Sequence, residues 1–195
     1  MFNLLQHIHQ FNLKANKNNP WIGSPFEELY HMQADQRGKY GEELFSCVIH
    51  ELGWNIDADV TDQNKHTDGI YDIKANNKRF EVKTSCLSHN SWQHEPLYIT
   101  DVCDIVVFID FDYNHFYITM VKNEELPLDK SISISKLFGK KHGTLRKNKD
   151  DGYKLDFSHT TISNLTKQNR CKKFDKDVSM EELKQYVEEV FNDLL

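Results

Sequence analysis

The sequence predicts an α/β domain in which helices flank a mixed central β-sheet. Three observations predict it. An amphipathic stretch over 38–54 precedes the strand patterns. Two hairpin patterns follow, one containing the nearly continuous apolar run IVVFIDF. A second amphipathic helix closes the chain. With 195 residues, the chain fits one domain spanning 1–195.

Phe2, Leu5, Ile8 and Phe11 give the N-terminal region, 1–37, helical spacing that breaks over Asn16 to Pro20. Ser24-Pro25-Phe26-Glu27 reads as a helix start, with serine as cap, proline in the first turn and glutamate completing a capping box. In Gly38 to Trp54, Leu44, Phe45, Val48, Ile49 and Leu52 share one face, and Gly53 stops the helix. At roughly 100° per residue, Glu43 points away from the apolar stripe and Glu42 lies at its edge. Gly69 to Ala75 and Lys78 to Ser85 form a hairpin about Asn76-Asn77, since asparagine tolerates positive φ. Ile105 to Phe111 is a central strand buried on both faces, and His115 to Val121 pairs with it after a short turn. Ile132 to Phe138 fits either state. Gly139 to Asn169 is polar, basic and irregular apart from a strand at Tyr153 to Phe157. Ser179 and Glu182 cap the last helix, 179–195, whose stripe is Leu183, Val187, Val190 and Phe191.

Composition excludes several classes. No run of about 18 apolar residues exists, which argues against a membrane span. The start MFNLLQHIHQ lacks the features of a secretory signal, so a cytoplasmic location is expected. Cys47, Cys86, Cys103 and Cys171 are far apart and form no CxxC pair, so reduced thiols are expected instead of structural zinc. No helical HExxH spacing supports a metal site at His89, His94 and Glu95, and no nucleophile sits on a strand-to-helix elbow. The net charge is −6, yet the segment 136–176 carries twelve Lys or Arg against four Asp or Glu. Such asymmetry predicts a local basic surface.

The chemistry concentrates in the first hairpin, DGIYDIKANNKRFEVKTS. A turn centred on Asn76-Asn77 sets Asp72 opposite Glu81, on one face with β-carbons about 4.5–5.5 Å apart. Lys83 shares that face, two residues on. Tyr71, Ile73, Phe80 and Val82 form the other, apolar face. Two carboxylates this close call for a cation, and oxygen ligands suit Mg²⁺. Mg²⁺ accepts phosphate oxygens, and a neighbouring lysine can orient or deprotonate water or bind phosphate.

Gly41-Glu42 on a helix ending at Gly53-Trp54, then Asp72, then Glu81-Val82-Lys83, resembles the PD-(D/E)xK nuclease superfamily. The resemblance covers roughly 38–121 and implies a restriction-endonuclease-like catalytic core there. It implies that Asp72, Glu81 and the Val82 backbone carbonyl bind the metal, with Glu42 as an extra ligand. Lys83 would be the catalytic lysine, and Mn²⁺ would substitute for Mg²⁺. The motif's proline is absent, because Tyr71 precedes Asp72. Asp68 competes as the first aspartate, but hairpin geometry sets it opposite Ser85, roughly 13 Å along the strand from Glu81. The resemblance further places Ser85, Gln93 and His94 near DNA.

Gly139 to Lys149 adds Lys140, Lys141, His142, Arg146, Lys147 and Lys149, suited to phosphates and guanine edges. Arg146 and His142 lead this set, and Arg170, Lys172 and Lys173 would extend the surface. The implied activity is Mg²⁺-dependent endonucleolytic cleavage of double-stranded DNA. Chain size suits a type II restriction endonuclease acting as a homodimer on a palindromic site. A Holliday-junction resolvase or repair nuclease is the alternative within the fold, and a catalytically silent DNA-binding module is the alternative outside catalysis.

Overall fold

The computed structural model describes residues 19–56, 71–97, 103–126, 138 and 153–195, and the backbone of 146–147. Thirteen elements are named within them, of which twelve are helices or strands: α1 (Glu27–His31), α2 (Ala34–Glu51), β1 (Ile73–Ala75), β2 (Lys78–Cys86), β3 (Ser91–Leu97), β4 (Ile105–Phe111), β5 (His115–Lys122), β6 (Arg146–Lys147), β7 (Tyr153–Ser158), α3 (His159–Lys167), β8 (Cys171–Asp175) and α4 (Met180–Leu194). The other is a 3-10 turn at Asn123–Glu125. The expected α/β class and mixed sheet flanked by helices are present. The central sheet has five strands in the order β1-β2-β4-β5-β8, and β3-β7-β6 form a second sheet. Only β2 and β4 run parallel among these pairs.

The first hairpin has the register the sequence predicts, with Ile73 opposite Phe80 and Ala75 opposite Lys78. Asn76 and Asn77 both take positive φ, 50° and 61°, as a two-residue turn of this hand requires. The ladder stops at Ile73. Asp72 bends away, its N–H donating to the Phe80 carbonyl. β1 therefore covers only the first residues of β2, and among the described residues no strand pairs with the outer edge of β2 from Glu81 onward.

α2 packs on one face of this sheet. Its buried residues are Gly41, Phe45, Val48 and Ile49, and Glu43 is exposed while Glu42 is half-buried. Gly53 follows with φ 70°. α4 joins the same layer, with Phe191 against Phe80 and Trp54. Ser179 caps it by accepting from the Glu182 N–H at 3.3 Å. β4 is buried at every position. The second sheet covers the opposite face, where Phe157 packs on Phe108. The core thus lies in two layers, one on each side of β4.

Several expectations change. Ser24 does not cap a helix: α1 starts at Glu27, and the Glu27 carboxylate accepts from the Gly23 N–H at 2.7 Å. α2 begins four residues before Gly38, because Ala34 to Arg37 favour the helix and no breaker intervenes. The stretch after Ser85 is not a loop. His89 and Asn90 form a positive-φ turn, and β3 follows with Trp92, His94 and Leu97 inward. Within Gly139 to Asn169 lies the unforeseen helix α3, capped by Ser158. The helical series at Phe2 to Phe11, and Ile132 to Phe138 apart from the buried Phe138, lie outside the described residues. No described helix is long and apolar enough to cross a membrane, and the four cysteines are free.

Candidate active site

This outer edge of β2 faces a cleft of 760 Å³ between α2 and β3. Arg37, Lys39 and Glu42 line it from α2, Asp72 from the end of β1, Val82 to Cys86 from β2, and Gln93 and Glu95 from β3. Gly41 explains how α2 comes so close. A β-carbon there would stand 1.8 Å from the Thr84 hydroxyl, so only glycine permits this approach. Glu42, the next residue, is thereby held over the hairpin.

Asp72, Glu81, Lys83 and Glu42 do come together. Lys83 Nζ is 2.5 Å from Glu81 Oε1, with side-chain exposures of 21% and 16%. The Asp72 carboxylate accepts from the Val82 N–H at 2.7 Å. In a strand the N–H and C=O of one residue point to the same edge. The Val82 carbonyl is therefore also directed to the outer edge beside Asp72.

These acids are electrostatically uncomfortable. Burial raises the Glu81 carboxyl to about 7, opposed by Lys83 and reinforced by Asp72 and Glu42. Burial likewise raises Asp72, against the Val82 N–H and Lys83. Glu42 is raised by burial and then by Asp72, while Lys83 and Lys39 hold it down. Three carboxylates thus share one close lysine. An arrangement of this kind can take a further cation, bind water and hold a proton at Lys83 Nζ or Glu81. Among the described residues, no three His, Cys, Asp or Glu side chains form a ready-made metal cluster.

Other expected site residues fare differently. Ser85 lines the cleft, but its Oγ already accepts from the Gln93 N–H at 3.1 Å, tying β2 to β3. Gln93 is exposed in the cleft and accepts from Lys154 Nζ at 2.9 Å. His94 does not reach it. It points between the sheets, fully buried, with Nε2 3.2 Å from Asp110 Oδ1. The alternation of β3 decides this, since His94 falls on the inward side with Trp92. Asp68, Lys140, Lys141, His142 and Lys149 lie outside the described residues. Arg146 and Lys147 belong to β6, in the same sheet as the cleft wall β3. Lys172 and Lys173 are exposed on β8, the edge strand of the central sheet opposite β1, and Arg170 beside it pairs with Glu125 at 3.5 Å. Sequence patterns pass over Arg37, Lys39 and Thr84. Their only signal is position: Arg37 and Lys39 precede Glu42 on α2, and Thr84 follows Lys83 on β2.

No protein-family model matches this chain, and no curated protein matches it in sequence.

Proposed function

We propose that this protein is a Mg²⁺-dependent endodeoxyribonuclease of the PD-(D/E)xK type, with a restriction-endonuclease-like core. In this reading it cuts double-stranded DNA at a specific site as a homodimer. The observation that carries the reading is the convergence of Glu42, Asp72 and Lys83 in one cleft, with Glu81 behind them paired to Lys83 and within electrostatic reach of Asp72 and Glu42.

The donor set fits the metal. Asp72, Glu81 and the Val82 carbonyl would hold it, with Glu42 within electrostatic reach. These are hard oxygen donors, and Mg²⁺ keeps several waters, so a site of few protein ligands suits it better than a closed cage would. When bound, the ion supplies positive charge that offsets charge developing on the phosphate. The chain supplies the rest. Lys83 orients water or holds a phosphate oxygen. Glu81 accepts from the Lys83 ammonium and fixes its direction. Gln93 and Ser85 line the wall along which substrate lies. Two active sites related by a twofold axis would cut both strands of a palindrome.

Incubation with plasmid DNA and Mg²⁺ tests the proposal. Discrete fragments are expected. Nicking, or a preference for branched DNA, would replace the restriction reading with the resolvase or repair one. No cleavage of any DNA would leave a binding module. Lys83→Ala is expected to lower cleavage by at least about 100-fold, the scale of a lost acid–base group, with an unchanged melting temperature. Undiminished cleavage by that variant would remove Lys83 from the mechanism.

A further inference from the structure

The cleft does not end at the acidic cluster. It continues along β2 to Cys86 and Ser88, and along α2 back to Arg37 and Ala34. At this second end the charge changes sign. Arg37 and Lys39 line it, together with one carboxylate, Asp35.

Arg37 is half-buried in the wall, lining the same cleft as Cys86, and its charge bears on that thiol. Burial keeps that thiol raised despite the arginine beside it. Cys86 is therefore a neutral neighbour near pH 7 and does not offset the arginine's charge. Among the described residues, no carboxylate forms an ion pair with Arg37. An arginine beside a neutral neighbour, facing a polar cleft, keeps donors for an anion.

The spacing matches a polymer, not a single phosphate. Three residues separate Lys83 from Cys86 on β2, about 10 Å at roughly 3.3 Å per residue. Five residues separate Glu42 from Arg37 on α2, about 7.5 Å at 1.5 Å per residue. Each step along one strand rises about 3.4 Å and also turns about the axis, so neighbouring phosphates stand farther apart than the rise, and that distance spans about one step between adjacent phosphates. The close approach of Gly41 to Thr84 locks α2 against β2, so the two ends of the cleft keep this separation.

We infer that Arg37 is a second anchoring point for the substrate strand, holding the backbone phosphate next to the one beside Lys83. Ser85 and Gln93, on the facing wall, border the stretch between the two anchors. The inference rests on the reading of this cleft as a nucleic-acid site. Arg37 acts as a positioning residue: it fixes where the strand lies and takes no part in proton transfer.

The test uses the full chain carrying Lys83→Ala, so that binding is measured without cutting. Fluorescence anisotropy of a labelled 20-base-pair duplex is followed as KCl is raised. Adding Arg37→Gln is expected to weaken binding to all sequences alike and to lower the slope of log affinity against log salt by about one. Arg37→Lys keeps the charge and is expected to retain the slope. In the cleaving protein, Arg37→Gln is expected to raise KM with little change in kcat. An unchanged slope in Arg37→Gln, or a slope lost equally in Arg37→Lys, overturns the anchor. Cleavage by the wild type together with an unchanged Arg37→Gln slope defeats this inference alone. Binding that depends on Arg37 without any wild-type cleavage defeats the nuclease reading and keeps the anchor.

Discussion

At Glu81, burial lifts the carboxyl to about 7 while the Lys83 ammonium, 2.5 Å away, opposes the lift. The sign of the consequence follows from linkage. A carboxyl raised in the folded state favours the protonated form, so its contribution is fully present below the unfolded value. It is lost as pH rises through about 7. In metal-free protein, Glu81→Gln is therefore expected to raise stability at pH 8, on the order of 1 kcal/mol. The gain should vanish near pH 4. Urea unfolding at the two pH values checks this, and a variant that is less stable at pH 8 would refute it. Mg²⁺ should stabilise the wild type more at pH 8 than at pH 6, because the carboxylate is the ligand form. Differential melting with and without Mg²⁺ reads that difference.

Among the elements, the contact between α2 and β2 decides the site. Thr84 Oγ1 is buried without a hydrogen-bond partner beneath Gly41. That loss is tolerated because the close approach sets Glu42 over Asp72 and Lys83. Gly41→Ala would force a methyl group to 1.8 Å from that oxygen. It is expected to cost about 1–3 kcal/mol, the usual range for overpacking, and to lower cleavage by moving Glu42. Combining it with Thr84→Ala should recover part of the loss. A double-mutant cycle in urea measures the coupling, and additive losses would show that the two residues do not collide. The same contact marks how far sequence patterns reach. Periodicity separates Glu42 from Glu43 on α2, and the two asparagines set the hairpin register as far as Ile73 and Phe80. Distances between α2 and β2 are absent from either pattern.

For the molecule as a whole, His94 and Asp110 form one of the contacts between the two sheets, beside the bonds from Gln93 to Ser85 and from the Trp92 indole N–H to the Phe111 carbonyl. Both side chains are fully buried, 3.2 Å apart, and neither makes an aligned hydrogen bond. Burial raises the Asp110 carboxyl, and His94 opposes the rise. His94 sits between the cleft residues Gln93 and Glu95, so its seat governs where the cleft wall stands. Asp110→Ala would strand His94 in the interior and is expected to cost about 3 kcal/mol or more. Replacing both by leucine should recover much of that, as buried pairs are often no better than apolar packing. Urea denaturation of the single and double variants decides between the outcomes. Equal instability in both would mean that the pair is worth more than its packing.

The α/β class, the fully buried strand β4, the capped helix α4 and the hairpin turn that sets Ile73 opposite Phe80 were all legible in the residues alone; that the ladder ends before Asp72, whose carboxylate accepts from the Val82 N–H instead of standing opposite Glu81, was not. The legible features rest on local rules: period 3.6 or 2, a capping serine, a pair of asparagines. The second sheet came only with packing across the chain. β3 looks like a polar loop until β7 pairs with it and draws Trp92 and His94 inward. In the central sheet, β8 buries only Cys171 and Phe174, three apart, a spacing that fits a helix face and breaks a strand's alternation. Packing also settled that β1 stops short, with no other described strand along that edge of β2, and that α2 lies near enough to wall the cleft. Such facts depend on residues far apart in the chain, and no local period carries information about where a distant segment will pack.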